Sequence, residues 1–202
     1  MLSLTEPLGD EFEYQGKKYP IDLSFDNVLK FYDLLDDKRL DDAEKITTAF
    51  SMFFGFETNS PDFVIAAFEE ITKYISVKPY GNDTDINDEN IVRDKRRLYS
   101  FKQDAEAIYA SFRDQYNINL IAEQGKLHWD EFRALFQGLG PDTYFQRIIN
   151  IRTQDTKDLK GETLSRAIEA KEYYELDYNK SQEAKEQQVA NFSQTLLAWA
   201  KS

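Results

Sequence analysis

His128 is the only imidazole in the chain, and cysteine is absent. A nucleophile–base pair needs a serine, cysteine or similar group activated beside the histidine. No glycine–serine elbow occurs and there is no second histidine for a metal, so His128, next to Trp129 at an expected helix start, reads as a capping or packing residue. Carboxylates are the other candidates. Asp33, Asp36, Asp37, Asp41 and Asp42 crowd one helix junction, a composition suited to a metal or to acid/base work. Their placement favours a structural account. Asp36 and Asp37 share a turn with Lys38 and Arg39, while Asp41 and Asp42 open a helix whose dipole favours them. Asp83, Asp85 and Asn87 match the first, third and fifth positions of a calcium-binding EF loop. The sixth, eighth and twelfth positions are Asp88, Asn90 and Asp94, which makes this a weak calcium candidate. The reverse holds at Gly125, Leu127 and Glu131, which match the sixth, eighth and twelfth positions. There the ligand positions are Leu120, Ala122 and Gln124, which supply no carboxylate. The basic run Arg93-Asp94-Lys95-Arg96-Arg97 reads as a solvated segment or a seat for an acidic surface. No glycine-rich phosphate loop or dinucleotide fingerprint is present. The expectation is a protein that is not an enzyme and carries no cofactor.

These residues depend on elements that the patterning predicts to be mainly helical. Phe12 to Ile21 alternates around Gly16 as a β-hairpin, with Pro20 suited to an edge. Because a lone hairpin is marginal in water, it must lie on helices or pair with another chain. Three helical stripes follow: Phe25, Val28, Leu29, Tyr32 and Leu35 behind an N-cap at Ser24; Ala43, Ile46, Phe50 and Phe53, stopped by Gly55; and Val64, Phe68, Ile71 and Ile75 behind Ser60-Pro61-Asp62. Residues 1–77 therefore read as a hairpin plus three-helix unit, and 78–98 as an acidic and basic linker. Residues 99–157 read as a second, three-helix unit. Its stripes are Ala105, Ile108, Tyr109, Phe112 and Tyr116; then Trp129, Phe132, Leu135, Phe136 and Leu139; then Tyr144, Phe145, Ile148, Ile149 and Ile151. Residues 158–202 read as a carboxy-terminal helical arm. In it Val189, Phe192, Leu196 and Trp199 form a heptad-like seam. That seam either folds back on the parent core or docks on another protein or another copy. Burying its four side chains would contribute roughly 6–10 kcal/mol before entropic costs.

The wording of the middle of the chain resembles a known family. DAEAIYASFRDQYNINL, GKLHWDEFRALFQGL and DTYFQRIINIR are similar to the signature of the phage gene-product-fifteen family, small tail-module proteins of long-tailed phages of Gram-positive bacteria, encoded near the tape-measure gene. The residues carrying the likeness include Asp104, Ile108, Tyr109, Phe112, Tyr116, His128, Trp129, Phe132, Arg133, Leu135, Leu139, Ile148, Ile149 and Arg152. Asp130 is a departure, since the family often has a second aromatic there. The hairpin and first two helices also match, so the likeness covers roughly residues 12–175. The resemblance implies a tail-assembly role, as a chaperone for the tape-measure protein or tail-tube protein.

Composition agrees with a binding rather than a chemical role. The 202 residues allow a real core, and a net charge of −12 argues against nucleic-acid or anionic-membrane partners. Met1 to Asp10 does not read as a signal peptide, and no apolar run approaches the roughly 20 residues of a membrane span. The host cytoplasm is the expected location, and self-association is open. Two alternatives remain at this point: a structural minor tail component retained in the virion, and a calcium-responsive helical adaptor.

Overall fold

The computed structural model describes residues 2–76 and 97–181. It is mainly helical with a short amino-terminal antiparallel hairpin, as the patterning predicts. The described chain divides into two compact units. The first holds residues 2–76 together with 117–138, the second 97–116 together with 139–181.

In the first unit, β1 (Glu11–Tyr14) and β2 (Lys17–Pro20) pair with Phe12 opposite Tyr19 and Glu13 opposite Lys18. Both residues of the connecting turn have positive φ, Gln15 at 50° and Gly16 at 74°. A two-residue hairpin turn of that hand matches the right-handed twist of its strands. The hairpin is seated on helices through aromatic rings. Phe63, in the first turn of α3 (Pro61–Ser76), lies 4.8 Å from both Tyr14 and Tyr19 and 5.7 Å from Phe12, all edge-on.

Helix α1 (Phe25–Asp36) buries Phe25, Val28, Phe31 and Leu34. The expected stripe chose Leu35 as its last member; Leu35 is instead 49% exposed, because the apolar face turns through Phe31 and Leu34. Ser24 occupies the cap position but its side chain makes no cap hydrogen bond. The entrance to α1 is held by Asp22, which accepts the Ser24 N–H at 2.9 Å, and by Asn27, which donates to the carbonyls of Asp22 and Met52. Helix α2 (Asp42–Phe54) starts with a full capping box between Asp41 and Glu44 and stops at Gly55 in the left-handed region. Only its second half is buried, at Ala49, Phe50, Phe53 and Phe54, so Ile46 and Ala43 lie outside the core. Helix α3 buries Phe63, Ala67, Ile71 and Ile75, with Val64 and Phe68 at the margin.

The main departure from the expected 99–157 unit concerns its middle helix. Helix α4 (Ala105–Tyr116) packs on α6 (Tyr144–Thr153), but α5 (Trp129–Gln137) packs on α1 and belongs to the first unit. The rings explain the choice: Phe132 stacks on Phe25 at 4.8 Å, and Trp129 meets Tyr32 edge-on at 6.1 Å. Main-chain bonds fix the junction. Phe25 N–H donates to Leu127 O at 2.9 Å and Trp129 N–H to Leu23 O at 2.8 Å, around a bridge between Ser24 and His128.

In the second unit, Ser111 joins α4 to α6. Its hydroxyl donates to Ala107 O and accepts the Phe145 N–H. Helix α7 (Gly161–Tyr174) lies on α6 without burying any of its own residues. Leu176, just beyond it, is completely buried. The arm expected over 158–202 thus begins inside the second unit.

Candidate functional site

Two buried polar clusters, one in each unit, concentrate what chemistry the described residues hold. In the first unit Asp130 lies in the first turn of α5, its side chain out of solvent. Arg133, one turn on, donates to it at 2.7 Å, and the Tyr74 hydroxyl of α3 donates to its other oxygen. Burial and that hydrogen bond to a carboxylate raise the Tyr74 pKa, so the phenol stays protonated. His128 is the N-cap of α5. Its Nδ1 accepts the Asp130 N–H at 3.1 Å, which leaves the remaining ring proton on Nε2. Glu131 completes the capping box by accepting the His128 N–H. Burial lowers the pKa of the imidazole, against the opposing pull of Asp130, Glu131 and Asp10. The sequence reading of His128 as a capping residue thus describes its contacts. A neutral ring that accepts from its own helix cannot serve as a base without giving up the cap.

The second cluster is a buried ion pair. Arg152 on α6 forks onto Asp104, just before α4, with bonds of 2.8 and 2.7 Å, and both side chains are 4% exposed. The same guanidinium donates to Tyr174 O at 2.6 Å and Leu98 O at 3.0 Å. Asp104 also accepts the Ser100 N–H. Next to this pair, Gln103 donates to Glu175 O and accepts the Asp177 N–H. Asn179 accepts the Arg97 N–H and donates to Arg97 O and to Glu175. Arg97 also lies over the Tyr178 ring at 4.0 Å. Together these bonds clamp residues 174–179 in place. Their chemistry is positional: all the donors and acceptors named face one another.

The loop before α5 has the outline of an EF loop without its ligands. Gly125 has φ of 69°, and its N–H donates to Asp26 at 2.7 Å. Lys30 pairs with the same carboxylate at 2.8 Å. Burial pushes the Asp26 pKa up, but Lys30 and the Gly125 N–H more than offset this and hold it below the ordinary value. Among the described residues no group of three or more histidines and acids is placed to hold a metal ion. Two of the crowded carboxylates of the α1–α2 junction have local partners: Asp37 accepts a fork from Arg39, and Asp41 caps α2.

The expected pattern residues are shared between the clusters and the core around them. Trp129, Phe132, Arg133, Leu135 and His128 lie on or before α5 in the first unit. Tyr109, Phe112, Ile148 and Arg152 lie on α4 and α6 in the second. The calcium candidate Asp83, Asp85 and Asn87 falls outside the described residues, as does the seam Val189, Phe192, Leu196 and Trp199. Reading by sequence missed Tyr74, Gln103, Glu175 and Asn179. Tyr74, Gln103 and Asn179 act on partners far away in the chain, which no local period marks, and the Glu175 carboxylate, which accepts from Leu176 N–H and Asn179, matters only once residues 174–179 are clamped.

Residues 4–176 match the family model described as bacteriophage Gp15 protein. The chain belongs to that family. The match ends at residue 176, beside the clamp formed by Arg152 and Gln103, and spans both units. No curated protein and no solved structure matches the chain. No helix among the described residues is long and apolar enough to cross a membrane.

Proposed function

We propose that this Gp15-family protein is a tail-assembly chaperone. It binds the tape-measure protein, tail-tube subunits or both in the host cytoplasm, and it breaks no bond itself. Family membership is the observation that carries the reading, since it supports a structural or assembly role in the phage. The charge of −12 suits a carrier that keeps an apolar client in solution. The buried polar groups also suit it, because Asp104, Arg152 and Asp130 are engaged in holding helices together.

The test is co-expression with a tape-measure protein, the client this reading names. The chaperone reading expects that client to move from the pellet to the soluble fraction and to co-purify with this protein. Unchanged solubility would remove the proposal's main support. Mass spectrometry of purified particles decides the remaining point, because a chaperone is missing from them and a minor tail component is present.

A further inference from the structure

Residues 174–179 are held in the second unit as a bound peptide is held. Two side chains grip their main chain: Arg152 donates to Tyr174 O at 2.6 Å, and Gln103 donates to Glu175 O and accepts the Asp177 N–H. Two side chains of the segment are sunk beside those bonds, Leu176 with no exposure and Asn179 with 3%. Asn179 in turn grips Arg97 at both its N–H and its carbonyl, at 2.9 and 2.8 Å. In peptide recognition, bonds to the main chain supply affinity and buried side chains supply the choice of sequence. The link from this segment back to its own chain carries little packing. Helix α7, which leads into it, buries none of its residues. The connector from α6 to α7, residues 154–160, is largely exposed. Among the described residues its hydrogen bonds are local: Gln154 N–H to Asn150 O, Lys157 N–H to the Asp155 carboxylate, and Leu159 N–H to Thr156 O.

We propose that the seat formed by Arg97, Gln103 and Arg152 also accepts residues 174–179 of a second copy of this chain, so that two copies exchange these segments. The contacts themselves select that occupant. A second copy offers the same leucine and asparagine at the same spacing, and each exchanged segment leaves its own seat open for the other, which closes the pair. Exchange keeps every bond of the seat and changes only the path of the connector. Its competitor is the chain's own segment, tethered at an effective concentration on the order of a millimolar. The monomer therefore prevails in dilute solution, and the exchanged dimer grows with concentration. The surface is separate from the 189–199 seam, and the inference does not rest on the chaperone reading.

The test uses the full chain and a fluorescein-labelled peptide of residues 174–181. Sedimentation velocity of the wild-type chain should show a dimer that grows with concentration and that excess unlabelled peptide dissolves. This arm needs no variant. In a second arm, Leu176→Ala and the milder Asn179→Ala loosen the chain's own segment, and circular dichroism shows that the helices persist. Fluorescence anisotropy should find the peptide bound to each variant at least about tenfold more tightly than to the wild type, whose own segment competes. The same peptide carrying Leu176→Ala should bind at least about tenfold more weakly. A wild-type chain that stays monomeric up to about millimolar concentration would overturn the proposal by confining the segment to its own seat. A dimer untouched by the peptide would do so by placing the contact on another surface. Equal binding of the two peptides, or no binding to a folded variant, would also overturn it. Because neither arm contains a tail protein, failure here leaves the co-expression result untouched.

Discussion

At the residue scale, the informative groups are those whose charge is committed inside the protein. Asp104 and Arg152 are each out of water and satisfy one another, so removing either leaves the other as an uncompensated buried charge. Arg152→Ala or Asp104→Ala should each cost about 3–5 kcal/mol in urea unfolding. The double substitution should cost less than the sum, which a double-mutant cycle measures directly. Arg152→Lys should not restore the wild-type value, since an ammonium cannot fork onto Asp104 while reaching the carbonyls of Tyr174 and Leu98. His128 makes a pH-dependent contribution of definite sign. Burial lowers its folded pKa, so between that value and the unfolded value of about 6.5 the unfolded chain binds more protons. Its contribution is therefore present above about pH 6.5 and is lost as pH falls through the folded pKa. Thermal melts from about pH 7 to about pH 5 should fall less steeply in His128→Asn, which keeps a capping acceptor without titrating there.

At the element scale, local chemistry was legible wherever the deciding partner lies a few residues away. Asp41 with Glu44, Gly55 after α2 and His128 before α5 are all signals within one helical turn, and the structure places a cap or stop at each. The turn of the hairpin was half legible. Gly16 stood out, but Gln15 also needs positive φ, and its side chain gives no hint of that. Gln15→Asn should therefore raise stability by up to about 1 kcal/mol, because asparagine tolerates the left-handed region that a two-residue turn demands. The melting temperature of the full chain reads this out. Which side of a helix faces inward was less legible. In α1 a stripe drawn through Tyr32 and Leu35 fits the helical period about as well as the actual one through Phe31 and Leu34. The choice is made by Phe53, 5.3 Å from Phe31, which no period within α1 can reveal.

At the scale of the whole molecule, sequence order and packing order differ. The α5 face through Trp129, Phe132 and Phe136 is buried, and its neighbour within the first unit is α1. The reason lies in the rings: Phe25 offers a flat partner for Phe132, and the bridge at Ser24 and His128 brings the two helix starts together. A fragment of residues 1–77 should thus be incomplete despite containing a hairpin and three full helices. It should bind an apolar dye and show weakened near-ultraviolet circular dichroism. Joining residues 117–138 to it through a flexible linker should restore both signals. A fragment that is already native-like alone would mean that α5 contributes little to the first unit.

That interleaving also has a consequence during synthesis. Phe25, Val28 and Phe31 leave the ribosome long before Phe132, whose ring closes over the first of them, and about as long before the main-chain bonds from residues 127 and 129. Until then the nascent chain lacks the ring that covers Phe25, so a pause in translation ahead of α5 would expose that end of α1 to cellular chaperones and proteases.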